Sequence, residues 1–517
     1  MARKELLDYV YKACILPQAG YSFALNHCVP YTVIGVQEAH LATHYNPLYW
    51  ACACLCCNAG NTAQSLDTDD DEESVEEDEE TPQDPANEPL EAAQKKKRAA
   101  PNYGKIAKAI ADAQMGGVEI GLPDINTAQD DFVPDVKNNR ILYSLRVVNA
   151  VSDSVFDEIM AKRPFSSLQD FLDRMETPSS AQIIGLIKAG CFDSLEGKGR
   201  STILRWYVNW LAEHKYPIKE NLTASHIKKA IATHMPLAPY KEQVYMVNFK
   251  TWIDAHQLDS SDKKRYLLTD SDAVAFFKRY YMPCLSIEKD EYSFIPAGIA
   301  VKKSALEREH KKLTQPLKDY FSSPAGVEAY AMHMRALYAA ELWESDCAGS
   351  QAQWEMEQMC FYRDKHELAN VSESAYGVSD FTKLPEVPHK TSYTNAKGER
   401  KDAYDTTAIM GTIVNVESNR KSVWLLTTHG VVTVKFYAEA FNRYKNPVSK
   451  IDPKTGKKVV IDRAWLKRGE KILVYGYRRE DTFVARTARV GSYTKLLCRI
   501  DGVVGSNLNL TYSRGEK

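Results

Sequence analysis

The sequence has no apolar run approaching the roughly 18–20 residues of a membrane-spanning helix. Its opening, MARKELLDYVYKACILPQAG, lacks the apolar core and small-residue cleavage site of a secretory signal. A cytoplasmic protein with no membrane association is the expectation. Paired CxxC motifs are missing too. Of 11 cysteines, four crowd together as Cys52, Cys54, Cys56 and Cys57, a spacing that suits neither a zinc knuckle nor a disulfide framework. Small apolar packing is the plainer role for them, and no metal site is expected in this chain. No carboxylate or histidine cluster supports a nuclease or primase centre, so no catalytic residue is assigned. There is also little net charge, only −2, but that near-balance conceals strong segregation.

The acidic part is compact. Between Asp67 and Glu80, 11 of 14 residues are acidic and none is basic; Pro82, Pro85, Pro89 and a basic run Lys95–Arg98 follow. So dense a run of like charge cannot bury enough surface to fold. Residues 58–101 read as a solvated linker, in preference to a DNA-mimicking tail. The basic part is the C-terminus, with 21 Lys and Arg against 10 Asp and Glu from Tyr404 onward, an excess that fits a nucleic-acid binder.

That basic region is built of short runs rich in Val, Ile and aromatics: TAIMGTIVNVES, SVWLLTT and VVTVKFY, then a helix-like AEAFNRY, an insertion rich in Pro, Lys and Gly over 446–458, and KILVYGYRRE and FVARTARV. Three strands, a helix and two strands are the order of an OB-type barrel, predicted here over 404–517. Trp424, Phe436, Tyr437 and Tyr477 are candidate stacking surfaces for bases. Lys421, Lys435, Arg478, Arg479 and Arg486 are candidate phosphate contacts.

Upstream, the pattern is helical. Val33, Val36, His40 or Leu41, and His44 recur at three- and four-residue steps, which predicts an amphipathic helix with His27 at its entry. A helix entry favours an anion such as phosphate, although a capping or core histidine fits the same spacing. Leu6, Leu7 and Val10 predict a further helix over 1–19. KIAKAIADAQMGG predicts a short helix stopped at Gly116 and Gly117. Residues 200–344 read as amphipathic helices with snorkelling Lys and Arg beside many Tyr and Trp, in preference to a track for single-stranded DNA.

Phe23, His27, Tyr31, His44, Tyr45 and Pro47 fall on the pattern F-N-K-S-H-S-x-A-Y…A-H-Y-P. The segment resembles the C-terminal fingers of the C-family replicative polymerases, the DNA polymerase III α subunits, with Leu25 in place of that family's Lys. Leu122-Pro123-Asp124-Ile125-Asn126 and Phe132 are similar to its P-P-D-I-N loop. Arg163-Pro164-Phe165, Leu168, Asp170-Phe171, Leu186-Ile187, Ala189-Gly190 and Phe192-Asp193 are similar to its tandem helix-hairpin-helix region, with Ala150-Val151-Ser152 where the hairpin glycines stand. Either Ser152 and the free amides hold phosphate, or the hairpin is structural. Glu357, Phe361-Tyr362, His366 and Leu368 resemble the approach to the family's OB domain, where packing at a junction is the plainer reading than a metal site.

The resemblance implies an α+β multidomain chain: fingers segment 1–57, linker 58–101, loop and helix-hairpin-helix 102–199, a helical region 200–344 without a motif, junction 345–403, and OB domain 404–517. It implies His27 and Tyr31 as nucleotide-facing residues. The expected DNA-binding residues are Ser152, Lys421, Trp424, Lys435, Arg478, Arg479 and Arg486. The expected partners are DNA, dNTP, a sliding clamp and a second chain carrying the polymerase palm, whose carboxylates would ligate Mg²⁺. Such a chain is the C-terminal portion of a split polymerase, expected to be inactive alone, with a phage genome a natural source and the bacterial host cytoplasm its location. The alternative is a stand-alone DNA-binding protein derived from a polymerase.

Overall fold

The computed structural model describes residues 25–59, 101–255, 264–394, 400–453, 458–490 and 493–512, with scattered positions beside them. The helix expected over 1–19 and the acidic run lie outside these ranges. The chain divides into two compact units, Met1–Ser201 with Gly349–Lys517, and Thr202–Ala348. Among the described residues no helix is long and apolar enough to cross a membrane.

In the first unit, α1 (Leu25–His44) and α2 (Pro47–Asn58) precede α3 (Tyr103–Met115). Asn46 caps α2 through its side chain, and Leu48, Cys52 and Leu55 form its buried face. Cys52 and Cys56 both lie against the Phe132 carbonyl. The amphipathic reading of α1 predicts a buried stripe, but Val33, Val36 and Leu41 are exposed. Periodicity reports a helix; burial requires a partner surface.

Asn102 N–H donates to the Asn58 carbonyl at 3.1 Å, so the base of the segment between them is closed by a backbone hydrogen bond. Deleting residues 67–89 roughly halves the segment, which changes closure entropy by only about 0.6 kcal/mol. The melting temperature of the deletion variant is expected within about 2 °C of wild type. A much larger fall would mean that the acidic run packs against the fold.

The C-terminal strands alternate inward apolar and outward residues. Strands β6 (Thr407–Glu417), β7 (Ser422–Thr427) and β8 (Gly430–Lys435) form an antiparallel meander. Helix α8 (Ala438–Lys445) follows, then β11 (Lys471–Arg479) and β12 (Thr482–Ala485). β11 pairs with β6, β12 with β11, and β12 lies parallel to β8, which closes five strands into a barrel. Its inside holds Ile413, Val423, Leu425, Val434, Ile472, Val474 and Phe483. The fold is therefore α+β and multidomain with a C-terminal OB-type barrel, as the strand order implies. The insertion after α8 is itself structured, a hairpin of β9 (Val448–Ile451) and β10 (Lys458–Asp462). Strands β15 (Leu497–Val504) and β16 (Asn507–Thr511) extend the sheet beyond β11.

The second unit carries helices, including Ala224–Ala232, Lys241–Ala255 and Pro324–Leu342, with apolar cores around Phe277 and Phe321. Cations lie over rings inside it, Arg205 on Trp343 and Lys215 on Tyr338, as snorkelling side chains do. The all-helical expectation for this region misses a three-stranded antiparallel sheet of Arg265–Leu268, Gly298–Lys302 and Tyr292–Ile295. Its strands are only four or five residues long, too short for alternation to stand out from the surrounding Lys and Tyr.

Candidate nucleic-acid interface

The barrel sorts the candidate residues by strand parity. Along β11, Arg478 shares the parity of Ile472 and Val474, and Arg479 has the outward parity of Tyr477. Arg478 donates to the carbonyls of Thr382 and Leu384 at 3.2 and 2.9 Å and to that of Glu480 at 2.8 Å, and it stacks on Phe381. It is a clasp for the incoming chain, which corrects its assignment to phosphate. Trp424 points outward but lies under α3, where a Cβ on Gly104 would come within 3.0 Å of its ring. It is partly buried against the cluster that holds Ala107 and Ala111, which makes it a packing residue first. Phe436 is buried in the barrel core. Lys421 donates to the Ser418 carbonyl at 2.7 Å and lies beside the Phe441 ring, holding its own turn.

Lys435 and Arg479 are exposed on strands β8 and β11. Lys435 pairs with Val484 and Val484 with Tyr477, so the three lie in a row on one face. Arg486 stacks over Tyr437, its guanidinium carbon 3.6 Å from the ring centroid. Partial burial draws the Arg486 pKa down, and the nearby Tyr404 works against that. Tyr404 meets Tyr477 at 4.7 Å between ring centroids. Tyr437 is 50% exposed, Tyr404 37% and Tyr477 only 7%. Lys435, Tyr437, Tyr477, Arg479 and Arg486 thus come together, joined by Tyr404, which the sequence reading passed over. Tyr404 ends the ribbon β4 (Lys390–Thr394) and β5 (Arg400–Tyr404) ahead of the barrel, outside its strand pattern.

Ser152 is the N-cap of α4 (Asp153–Lys162), but its side chain makes no capping bond. It contacts Ser154 Oγ at 3.1 Å and accepts from Gln182 Nε2 at 3.3 Å. Gln182 lies in the first turn of α6 (Ser180–Ala189), so two helix N-termini face one hollow of about 320 Å³ lined by Asn149–Ser152, Ala181 and Gln182. Ser179 takes the Gln182 N–H in a capping box, and first-turn N–H groups outside such a cap suit an anion. The backbone of His27 lies in the first turn of α1, but its side chain is outside the described residues. Tyr31 is exposed one turn later, far in sequence from both the hollow and the barrel face.

The motif residues between hairpin and barrel are ties. Helix α7 (Gln351–Met359) packs on α6, with Glu357 accepting from Lys188 at 2.8 Å. Phe361 stacks on Tyr143, and Tyr362 OH meets Thr412 Oγ1 at 2.7 Å on the barrel. His366 Nε2–H donates to the Leu426 carbonyl at 2.9 Å, while Nδ1 accepts from Leu368 N–H at 3.0 Å. Burial pulls its pKa from 6.5 down to about 4. A histidine whose folded pKa is depressed contributes stability in full above the unfolded value and loses it as pH falls toward the folded one. Stability should therefore decline between pH 6.5 and 4, by up to about 1.4 kcal/mol per pH unit for this group. Burial depresses His310 in the second unit likewise, also to about 4. Denaturant titrations of wild type and His366→Gln at both ends of the window separate the two. An equal acid sensitivity in the variant would remove His366 from the account.

A family described as "Helix-hairpin-helix motif" matches residues 117–203. Over 99% of its length the chain is 31% identical to a probable DNA polymerase, YorL, of Bacillus subtilis strain 168, and equally to a DNA-directed DNA polymerase of Bacillus phage SPbeta. It is 29% identical over 37% of its length to the DNA polymerase III subunit alpha of Bacillus subtilis, of which it covers 14%. The chain spans 37% of the length of the first two relatives. The resemblance read from the motifs is borne out: this chain is a relative of the polymerase III α subunits and of phage DNA polymerases.

Proposed function

We infer that this chain, as a relative of the polymerase III α subunits, serves template-directed DNA synthesis by holding DNA and facing the nucleotide for a palm carried on a second polypeptide. The similarity to DNA polymerases over 99% of the chain carries the reading. The supporting geometry is the pair of helix N-termini at Ser152 and the cationic barrel face of Lys435, Arg479 and Arg486. His27 and Tyr31 are assigned to the nucleotide side. Among the described residues no three His, Cys, Asp or Glu side chains converge as metal ligands, and no step is routed through Mg²⁺ here. In-line phosphoryl transfer requires such a site, and it belongs with the palm in this reading.

A second reading, a stand-alone DNA-binding protein, draws on the same basic barrel. Primer extension separates the two. With primer–template, Mg²⁺ and dNTPs the chain should bind DNA but add no nucleotide, and incorporation should appear with a palm-bearing polypeptide. Metal-dependent extension by the chain alone would sink the division of labour. Binding with no incorporation in any combination would favour the stand-alone reading.

A further inference from the structure

OB barrels commonly bind oligonucleotides on the outer face of the second and third strands and on the loops joining strands one to two and four to five. In this barrel the strand face is covered, and neither loop carries an aromatic ring. Helix α3 lies across the outer face of β6, β7 and β8, packing Ala107 and Ala111 on Val414, Trp424 and Leu426. The loop before β7 is held by Lys421 on its own carbonyl. The turn after β11 is acidic, Glu480-Asp481, and Glu480 N–H donates to the Glu386 carbonyl. The turn between β7 and β8 is tied by His429 to Glu373 at 3.1 Å. Outward residues of β6 and β11 nearer the other end, Ala408, Met410 and Leu473, are covered by Leu368, Val371, Cys498 and Ile500.

Beyond the reach of α3, the outward face at the end of β8, on β12 and at the end of β11 stays open. We propose that this face is a platform for one unpaired strand of nucleic acid, with bases stacking on Tyr404 and Tyr437 and phosphates held by Lys435, Arg479 and Arg486. The proposal rests on the DNA-binding reading above and gives it a site and a strand class. Tyr437 and Tyr404 present open ring area, and Tyr477, almost fully buried, backs Tyr404 at 4.7 Å and fixes its position. Arg486 lies over Tyr437, its guanidinium carbon 3.6 Å from the ring centroid, which sets a cation beside an open ring. Cations at the ends of β8 and β11 and just after β12, with interleaved aromatics, combine backbone tracking and sequence-tolerant stacking. A base inside a duplex offers no free face to a tyrosine, so the ligand is single-stranded.

The test uses the full chain and a fluorescent oligothymidylate of about a dozen nucleotides, a length within the range that one OB barrel spans. Anisotropy should report a loss of about tenfold for Tyr404→Ala or Tyr437→Ala and about a hundredfold for the pair. Lys421→Ala should bind as wild type does, and melting curves should be unchanged in the tyrosine variants. A second measurement does not depend on variants: photocrosslinking with 5-iododeoxyuridine in the oligonucleotide should label the peptides holding Tyr404 and Tyr437. Labelling at Trp424 instead, or unchanged affinity in the double variant, overturns the platform while leaving DNA binding intact. Loss of binding to primer–template with oligothymidylate binding retained would fault the polymerase reading and keep the platform. A wild-type chain that binds neither defeats both.

Discussion

Replacing Arg200 by Met is expected to remove about 3–5 kcal/mol of stability, the largest single-residue effect foreseen in this fold. The Arg200 guanidinium is 2% exposed and donates to Glu355 at 2.9 Å, to Asp193 at 2.8 Å and to the Lys188 carbonyl at 3.2 Å. Glu355 is itself buried at 5% side-chain exposure, so removing the cation strands a carboxylate away from water. The penalty is the unpaired charge rather than the lost attraction. Glu355 also accepts from Gln351 and from Arg363 N–H, which keeps the cost at the lower part of that range. Asp193 supplies a second signature. Burial raises its pKa, and Arg200 is the largest charge opposing that rise. Without Arg200 the carboxyl rises further, and a raised carboxyl costs stability where it must ionise and regains it once protonated. The deficit of Arg200→Met relative to wild type should therefore be smaller at pH 4 than at pH 7. Denaturant midpoints at the two values measure it. A loss below about 1 kcal/mol at pH 7, or a deficit that grows in acid, would contradict the buried-pair account.

This clasp also explains why its neighbourhood is readable as a motif. Gly190 has φ +85°, and a Cβ there would lie 2.8 Å from the Arg200 guanidinium carbon, so both conformation and space call for glycine. Asp193, three residues on, is the clasp's acceptor. The Pro-Asp-Ile-Asn loop has the same logic: the Asp124 carboxylate accepts from Asn126 and Thr127 N–H, and the Asn126 amide exchanges two 2.8 Å hydrogen bonds with the Phe165 backbone. One motif is thus stapled to the next, and such local patterns survive in a sequence because a few residues satisfy them. Glu355 lies 155 residues from its Arg200 partner, so no local pattern announces the pair.

The barrel was legible for a different reason. Alternation in β7 and β11 separates inside from outside, and the run KILVYGYRRE already gives Arg478 the parity of the core. Parity also sends Trp424 outward, correctly, but not that α3, some three hundred residues earlier in sequence, lies on top of it. Tyr404 was missed because it precedes the first barrel strand and belongs to no period. The stripe on α1 gives the reverse case, a pattern read correctly as a helix and wrongly as buried.

The second large effect is electrostatic. Charge reversal at two platform positions, Arg479→Glu with Arg486→Glu, is expected to lower single-strand affinity by about a hundredfold at low salt. Each phosphate neutralised on a single strand contributes about −0.7 to the slope of log K against log salt. Lys435, Arg479 and Arg486 together give a wild-type slope of about −2, and the double variant should retain about −0.7. The overall excess of positive charge from Tyr404 onward does not predict this, because a cation held by carbonyls releases no counterion. Arg478 is the internal contrast. Its guanidinium is committed to the carbonyls of Thr382, Leu384 and Glu480, so Arg478→Glu should lower the melting temperature and leave the slope of the folded fraction near −2. Anisotropy titrations across a salt series, each paired with a melting curve, read both quantities on the same samples. A flattened slope in Arg478→Glu with stability intact would return that residue to the DNA side. An unchanged slope in the Arg479 and Arg486 double variant would move the phosphate contacts off the barrel, to the hollow where Ser152 and Gln182 bring two helix N-termini together.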